Sequence, residues 1–202
     1  MEIIFATGNA HKASEAQSIL GEGFTVIMPK ELGITDDIPE NSDTLLGNAI
    51  EKCTYLWNIT KRSCFADDTG LEVDSLGGAP GVHTARYAGE GKESEANMEK
   101  LLAELEKKGP EYRRPELRAA RFKTVIAYRN NNGGLHTFEG VLEGHIALQK
   151  SGSQGFGYDP IFIPEQTGGE ITLAQLPPEV KNAISHRGAA IRALKNFLKN
   201  DR

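Results

Sequence analysis

"MEIIFATGNAHKASEAQSIL", residues 1–20, reads as a strand, a turn and a helix in one line. The apolar run Ile3-Ile4-Phe5 meets Thr7-Gly8-Asn9, and a helical pattern follows with Lys12 in its first turn. Aligned peptide dipoles already place roughly half a positive charge at a helix N-terminus, so a solvated helix favours Asp or Glu there. Lys12 therefore calls for an anion. Two readings stand side by side. Either the helix start, lying just after a strand, holds a phosphate that reverses the local electrostatics, or Asn9 caps the helix and Lys12 points into solvent. In both, Gly8 supplies a sharp turn. The GxxxxGK[ST] spacing of a Walker loop is absent.

Working outward, strand-like runs recur at Thr25–Met28, Ser63–Ala66, Phe122–Tyr128, Leu135–Leu142, Ile146–Gln149 and Pro160–Ile163. Helical patterns lie between some of them. Leu45, Ala49, Cys53 and Leu56 share one arc at 3.6-residue spacing, with Asn48 and Lys52 at its flanks. Met98, Leu101, Leu102 and Leu105 repeat the pattern until Gly109-Pro110 ends it, and a last helix runs from about Ser185 to Leu198. The polar, Pro-broken stretch 109–118 reads as a surface loop. Mixed strands and helices predict an α/β fold with a sheet covered by helices, and residues 1–202 read as a single domain.

Composition narrows the function. A net charge of −5 argues against a nucleic-acid polymer as partner, because that needs a basic face, yet leaves room for a free nucleotide held by a few cations. No run approaches the ~18 apolar residues of a membrane span, and no basic leader precedes the first strand, so a cytoplasmic protein is expected. Cys53 and Cys64 lack CxxC spacing and read as buried thiols.

Three more clusters carry chemistry. In "FADDTGLEVDSLGGAPGV" (65–82) an apolar run ends in Asp67-Asp68, two carboxylates that repel unless a cation sits beside them. Magnesium, which takes oxygen ligands and bridges to phosphates, would answer this, and so would a turn in which the Asp residues are merely structural. In "GSQGFGYDPIF" (152–162) glycines surround Phe156 ahead of Tyr158 and Asp159; a purine could stack on Phe156, or the stretch is a hairpin with a core Phe. In "PPEVKNAISHRGAA" (177–190) Ser185 is a candidate cap, and His186 and Arg187 repeat the oddity of cations at a positive helix end. Glu40, in the loop before the second helix, offers a further carboxylate, and Lys52 could reach a cleft or lie along the surface.

"ATGNAHKASE" (6–15), "ADDTGLEVDSLGGAPGVHTARYAG" (66–89), "GFGYDPIF" (155–162) and "KNAISHRGAA" (181–190) together resemble the inosine triphosphate pyrophosphatase family, in order and spacing. The resemblance implies an elongated central mixed β-sheet flanked by helices, two lobes with an active-site cleft between them, and a homodimer. It implies Mg²⁺-dependent hydrolysis of ITP, dITP and XTP to the monophosphate and pyrophosphate, which cleanses the nucleotide pool. By position, Thr7, Gly8, Asn9 and Lys12 would contact phosphates. Asp68, Lys12 and Lys52 would be catalytic, and Glu40 and Asp68 would hold the metal. Phe156, Gly157, Tyr158, Asp159, Lys181, His186 and Arg187 would form the base pocket. Thr69 stands where the family usually has Ser and keeps the hydroxyl as a substrate contact. Gly47 replaces a Glu found in many members, and His83 a frequent Tyr. Rival functions are a non-catalytic nucleotide sensor, a pyrophosphatase for pyrimidine nucleotides, and a purely structural dimerisation module.

Overall fold

The structure, a computed structural model, describes residues 1–200. Strand β1 (Glu2–Phe5) leads through helix α1 (Ala10–Leu20) into β2 (Thr25–Ile27), and the two strands pair in parallel with Ile3 opposite Val26. Helix α2 (Leu45–Thr60) then leads to β3 (Cys64–Val73), which pairs in parallel with the other side of β1. Parallel neighbours need such crossovers, and helices supply both. Phe5 and Phe65, opposite each other in this register, stack with centroids 4.2 Å apart.

The rest of the sheet is β4 (Pro80–Gly81), antiparallel to β3, then β5 (Ala119–Arg129), β6 (Leu135–Ile146) and β7 (Phe162–Pro164), the last antiparallel to β6. The strand order is β2-β1-β3-β5-β6-β7, with β4 on β3. Three further helices complete the described residues: α3 (Ser94–Glu106), α4 (Pro178–Ile184) and α5 (His186–Asn200). The mixed α/β class holds.

The chain divides into two compact units, each discontinuous in sequence. The first comprises Met1–Asp68, Thr124–Gly140 and the chain from His186; the second comprises Thr69–Lys123 and Val141–Ser185. Ile3, Phe5, Leu20, Phe65, Ile126, Ile191 and Leu194 form the core of the first. Leu71, Val73, Leu101, Leu105, Leu142 and Phe162 do so in the second. Among the described residues no helix is long and apolar enough to cross a membrane.

Several sequence expectations shift. Asp67 and Asp68 are not at a strand end; β3 runs on to Val73, with the Asp67 carboxylate answered by Lys12 of α1 and that of Asp68 by Lys52 of α2. The runs 135–142 and 146–149 are not two strands. One strand continues to Ile146 across Gly140 and Gly144, whose missing side chains leave room for the His186 backbone and for Ile163 with Phe162. The Pro160–Ile163 run begins as a 3₁₀ turn and becomes strand only at Phe162. The stretch 109–118 is two 3₁₀ turns, and it is not all surface: Arg118 is buried and donates to the carbonyls of Tyr112, Ile146 and Ala147. A short helix, α4, precedes the last one, with the Ser185 amide closing it on the Lys181 carbonyl. Cys53 and Cys64 are free and buried, as read.

Candidate active site

Asn9 is the cap of α1. Its Oδ1 accepts from the amides of His11 and Lys12 at 2.9 and 3.2 Å, and the Asn9 amide donates to Thr7 Oγ1 at 3.1 Å. Gly8 is not in the left-handed region, and a Cβ there would meet nothing within 4 Å, so the turn itself does not require glycine. Lys12 does not stand in solvent. Its Nζ donates to Asp67 Oδ1 at 2.9 Å, and that carboxylate is the anion the helix start calls for.

Asp67 is also bound from the other side. Arg187, in the first turn of α5, donates Nε to Asp67 Oδ2 at 3.0 Å and Nη1 to Glu15 Oε2 at 2.7 Å. The result is an alternating row, Lys12–Asp67–Arg187–Glu15, tying β3 to α1 and α5. Burial alone would raise the Asp67 carboxyl, but Lys12, Arg187 and Lys52 outweigh it and hold it well below the usual carboxylate range. The Arg187 guanidinium is likewise held above its ordinary value: burial opposes its charge, and Asp67 and Glu15 more than offset that. Burial dominates for Lys12 and lowers its ammonium, against the pull of Asp67.

Successive strand residues point to opposite faces, so Asp68 looks to a different set. Asp68 Oδ1 accepts from Lys52 Nζ at 2.9 Å, and Oδ2 from Asn48 Nδ2 at 3.3 Å. Lys52 is on α2 with its ammonium buried, and it also donates to Glu40 Oε1 at 2.7 Å. It is therefore turned into the site rather than laid along the surface. Burial pushes the Lys52 ammonium down, yet Asp68, Asp67 and Glu40 together leave it above its ordinary value. Asp68 is raised, with burial ahead of the opposing Lys52. The trio Glu40, Lys52 and Asp68 carries one more negative than positive charge.

That arrangement suits a divalent ion. Glu40 and Asp68 already converge on one ammonium, so both reach a common cation position. Among the described residues no group of three or more His, Cys, Asp or Glu side chains could hold a metal ion. Two carboxylates completed by phosphate oxygens and water are what magnesium commonly accepts.

In the second unit, Gly155 and Gly157 take left-handed backbone. At Gly155 a side chain would collide with the Asp159 carboxylate, so only glycine fits. Asp159 Oδ2 accepts from the Phe156 amide at 2.8 Å and from Lys181 Nζ, on α4, at 2.8 Å. The same ammonium lies 4.6 Å from the Phe156 ring centroid, so one face of that ring meets a cation. Tyr158 packs in the core and donates its hydroxyl to the Thr84 carbonyl at 2.9 Å; burial raises its phenol. Thr69 is half-buried on β3, and His186 is buried at the start of α5.

The structure thus brings together Lys12 with Arg187, and Glu40 with Lys52 and Asp68, in the first unit, and Phe156, Asp159 and Lys181 in the second. Sequence reasoning singled out the Asp67-Asp68 pair but gave Asp67 no role of its own, and it did not assign Glu15 or Asn48 to the site. A signal existed for Asp67: adjacent carboxylates demand two counter-charges, and Lys12 and Arg187 were the unexplained cations.

Comparison with known proteins gives the family. The family model described as the Ham1 family matches residues 3–197. The dITP/XTP pyrophosphatase of Flavobacterium psychrophilum is 48% identical over 200 residues, covering 99% of this chain and all of the relative. That of Bacillus subtilis is 43% identical over 198 residues, covering 98% and 96%. Among solved structures, the Ham1 protein of Staphylococcus aureus superposes with a TM-score of 0.86 at 39% identity, covering all of both chains. The HAM1 protein of Coxiella burnetii gives 0.87 at 37%, covering 99% of each. With near-complete coverage in every comparison and the motif residues gathered as described, this chain belongs to the Ham1 family.

Proposed function

We propose that this protein is a nucleoside triphosphate pyrophosphatase that hydrolyses dITP, XTP and ITP to the monophosphate and pyrophosphate. The observation that carries the reading is the pairing of Glu40 and Asp68 about one buried ammonium, with a trio charge that favours a further cation. The full-length relatives named dITP/XTP pyrophosphatase support the substrate class.

A divalent ion accompanies this chemistry, and we infer Mg²⁺, held by Glu40 and Asp68. When bound, it would neutralise triphosphate oxygens and polarise the reacting phosphorus. The protein groups do the rest. Thr7, Gly8, Asn9 and Lys12 meet the phosphates, with Thr69 adding a hydroxyl. Asp68 orients or deprotonates the water that attacks the α-phosphorus. Lys12 and Lys52 take up charge developing on the departing pyrophosphate. Phe156, Gly157, Tyr158, Asp159, Lys181, His186 and Arg187 are assigned to the base. A 6-keto purine accepts hydrogen bonds where adenine presents an amine, and a buried donor facing the wrong partner is costly. Asp67 and Glu15 fix the plane of Arg187 for that role. Residues 1–202 are taken as one functional domain, since neither unit is a continuous stretch. A homodimer working in the cytoplasm completes the proposal.

The test is pyrophosphate release from ITP, XTP, dITP, GTP, ATP and dTTP, with and without Mg²⁺. The expected result is release from the first three, only with metal. Release from none would favour a sensor or a structural module, and preference for dTTP would move the assignment to pyrimidines.

A further inference from the structure

Glu40 lies in a segment, 34–44, that has no helix or strand of its own. Its carboxylate accepts from Lys52 of α2, and two further side chains of α2 hold the residues that follow it. The Asn41 amide donates to Glu51 Oε2 at 2.7 Å, and Asn41 Nδ2 donates to Glu51 Oε1 at 2.9 Å. The next amide, Ser42, donates to Asn48 Oδ1 at 2.8 Å, and the amide end of the same Asn48 reaches Asp68. Residues 48, 51 and 52 are three and four apart, so they share one face of the helix. That face therefore grips the two residues after Glu40, meets Asp68, and places the Lys52 ammonium between Glu40 and Asp68. The approach is close enough that a Cβ on Gly47 would run into the Ser42 side chain and come within 2.9 Å of Thr44 Oγ1.

We propose that Glu51 and Asn41 are positioning residues for the divalent ion: their two-bond clamp, alongside Asn48, sets Glu40 opposite Asp68, and so tunes metal affinity without touching metal or substrate. This rests on the metal assignment to Glu40 and Asp68 proposed above. Glu51 accepts at both oxygens, and a carboxylate is the side chain that can do so. The Asn41 bonds lower the Glu51 carboxyl from its ordinary value, in keeping with a charged acceptor.

The chemistry of the clamp allows it to be broken and rebuilt. Glu51→Gln turns one acceptor into a donor facing a donor. Asn41→Asp sets carboxylate against carboxylate. In the double variant N41D/E51Q, the backbone amide at 41 donates to Gln Oε1 while Gln Nε2 donates to the new carboxylate, restoring two bonds at unchanged net charge. Each single variant should raise the Mg²⁺ concentration for half-maximal ITP hydrolysis about tenfold, which corresponds to about 1.4 kcal/mol. Rate and KM for ITP at saturating Mg²⁺ should stay within about twofold. The double variant should return to within about threefold of the parent.

The second readout is the rise in Tm that Mg²⁺ produces in the full chain bound to an α,β-methylene inosine triphosphate analogue; it should follow the same order. Single variants with the parent's Mg²⁺ dependence, or a double variant no better than either single one, would overturn the clamp. A parent chain that hydrolyses no purine triphosphate would instead overturn the proposed function, and the Tm series would still judge the clamp on its own.

Discussion

The two units handle buried charge in different ways. In the first, cations and carboxylates alternate: Asp67 is shared by Lys12 and Arg187, and Lys52 by Glu40 and Asp68. In the second, Lys181 and Asp159 form a pair, and Arg118 is answered by three carbonyls. Shared counter-charges keep several ionised groups side by side in a buried place, where each alone would be costly. Lys181 and Asp159 cancel each other's charge, and three carbonyls answer Arg118 by hydrogen bonding. The trio at Glu40, Lys52 and Asp68 keeps a net negative charge, and that is where the metal is proposed.

The comparison can be broken in four ways, beginning with the largest effect. Replacing Asp68 with Asn keeps the shape but removes the proton acceptor and a metal ligand, and leaves one of its two donors, Lys52 or Asn48, facing an NH2 group. Pyrophosphate release should fall on the order of 10³-fold, while calorimetry still detects ITP binding. Retained turnover would refute the role given to Asp68. Next, Asp67→Ala strips Lys12 and Arg187 of their common carboxylate. Breaking a buried pair in this way costs about 3–5 kcal/mol, a Tm loss of about 10 °C for a chain of this size. A loss under 2 °C would show that the alternating row contributes little.

Leu101→Ala is the counterpart in the second unit. Leu101 is fully buried, and the cavity should cost about 2–5 kcal/mol in urea unfolding. That loss should not vary with pH between 5 and 8, since no charge is involved.

The smallest effect separates the units by acidity. His145, in the second unit, is lowered from its ordinary value by burial and then by Arg118. Below the unfolded value of 6.5 the unfolded state binds more protons, so stability is lost as pH falls from there through the folded value. Asp67 behaves differently: its depressed carboxyl contributes fully above the unfolded value of 3.8, and that contribution is lost only in stronger acid. Between pH 7 and 5, then, His145→Gln should flatten part of the decline in urea midpoint that the parent shows. Parallel curves for parent and variant would sink this assignment.

How much of this was legible beforehand depends on the range of the interactions. The Asn9 cap, the α2 arc and the boundary position of Lys52 follow from residues within a turn or two of one another, and the chain shows them directly. The break expected at 143–145 is absent, and Gly144 there makes room for Ile163 and Phe162 rather than for a turn. Helix α4 was missed, although Pro178 is well suited to a first helical turn.

By itself the sequence determined the strand–turn–helix opening, the mixed class, and which cations and carboxylates needed a counter-charge. Only the tertiary structure decided which cation answers which carboxylate. Lys12 and Asp67 are 55 residues apart, and Arg187 and Asp67 are 120 apart. Local propensity acts through neighbours, whereas an ion pair forms wherever packing brings two charges together, and alternation along β3 then sends adjacent aspartates to separate partners.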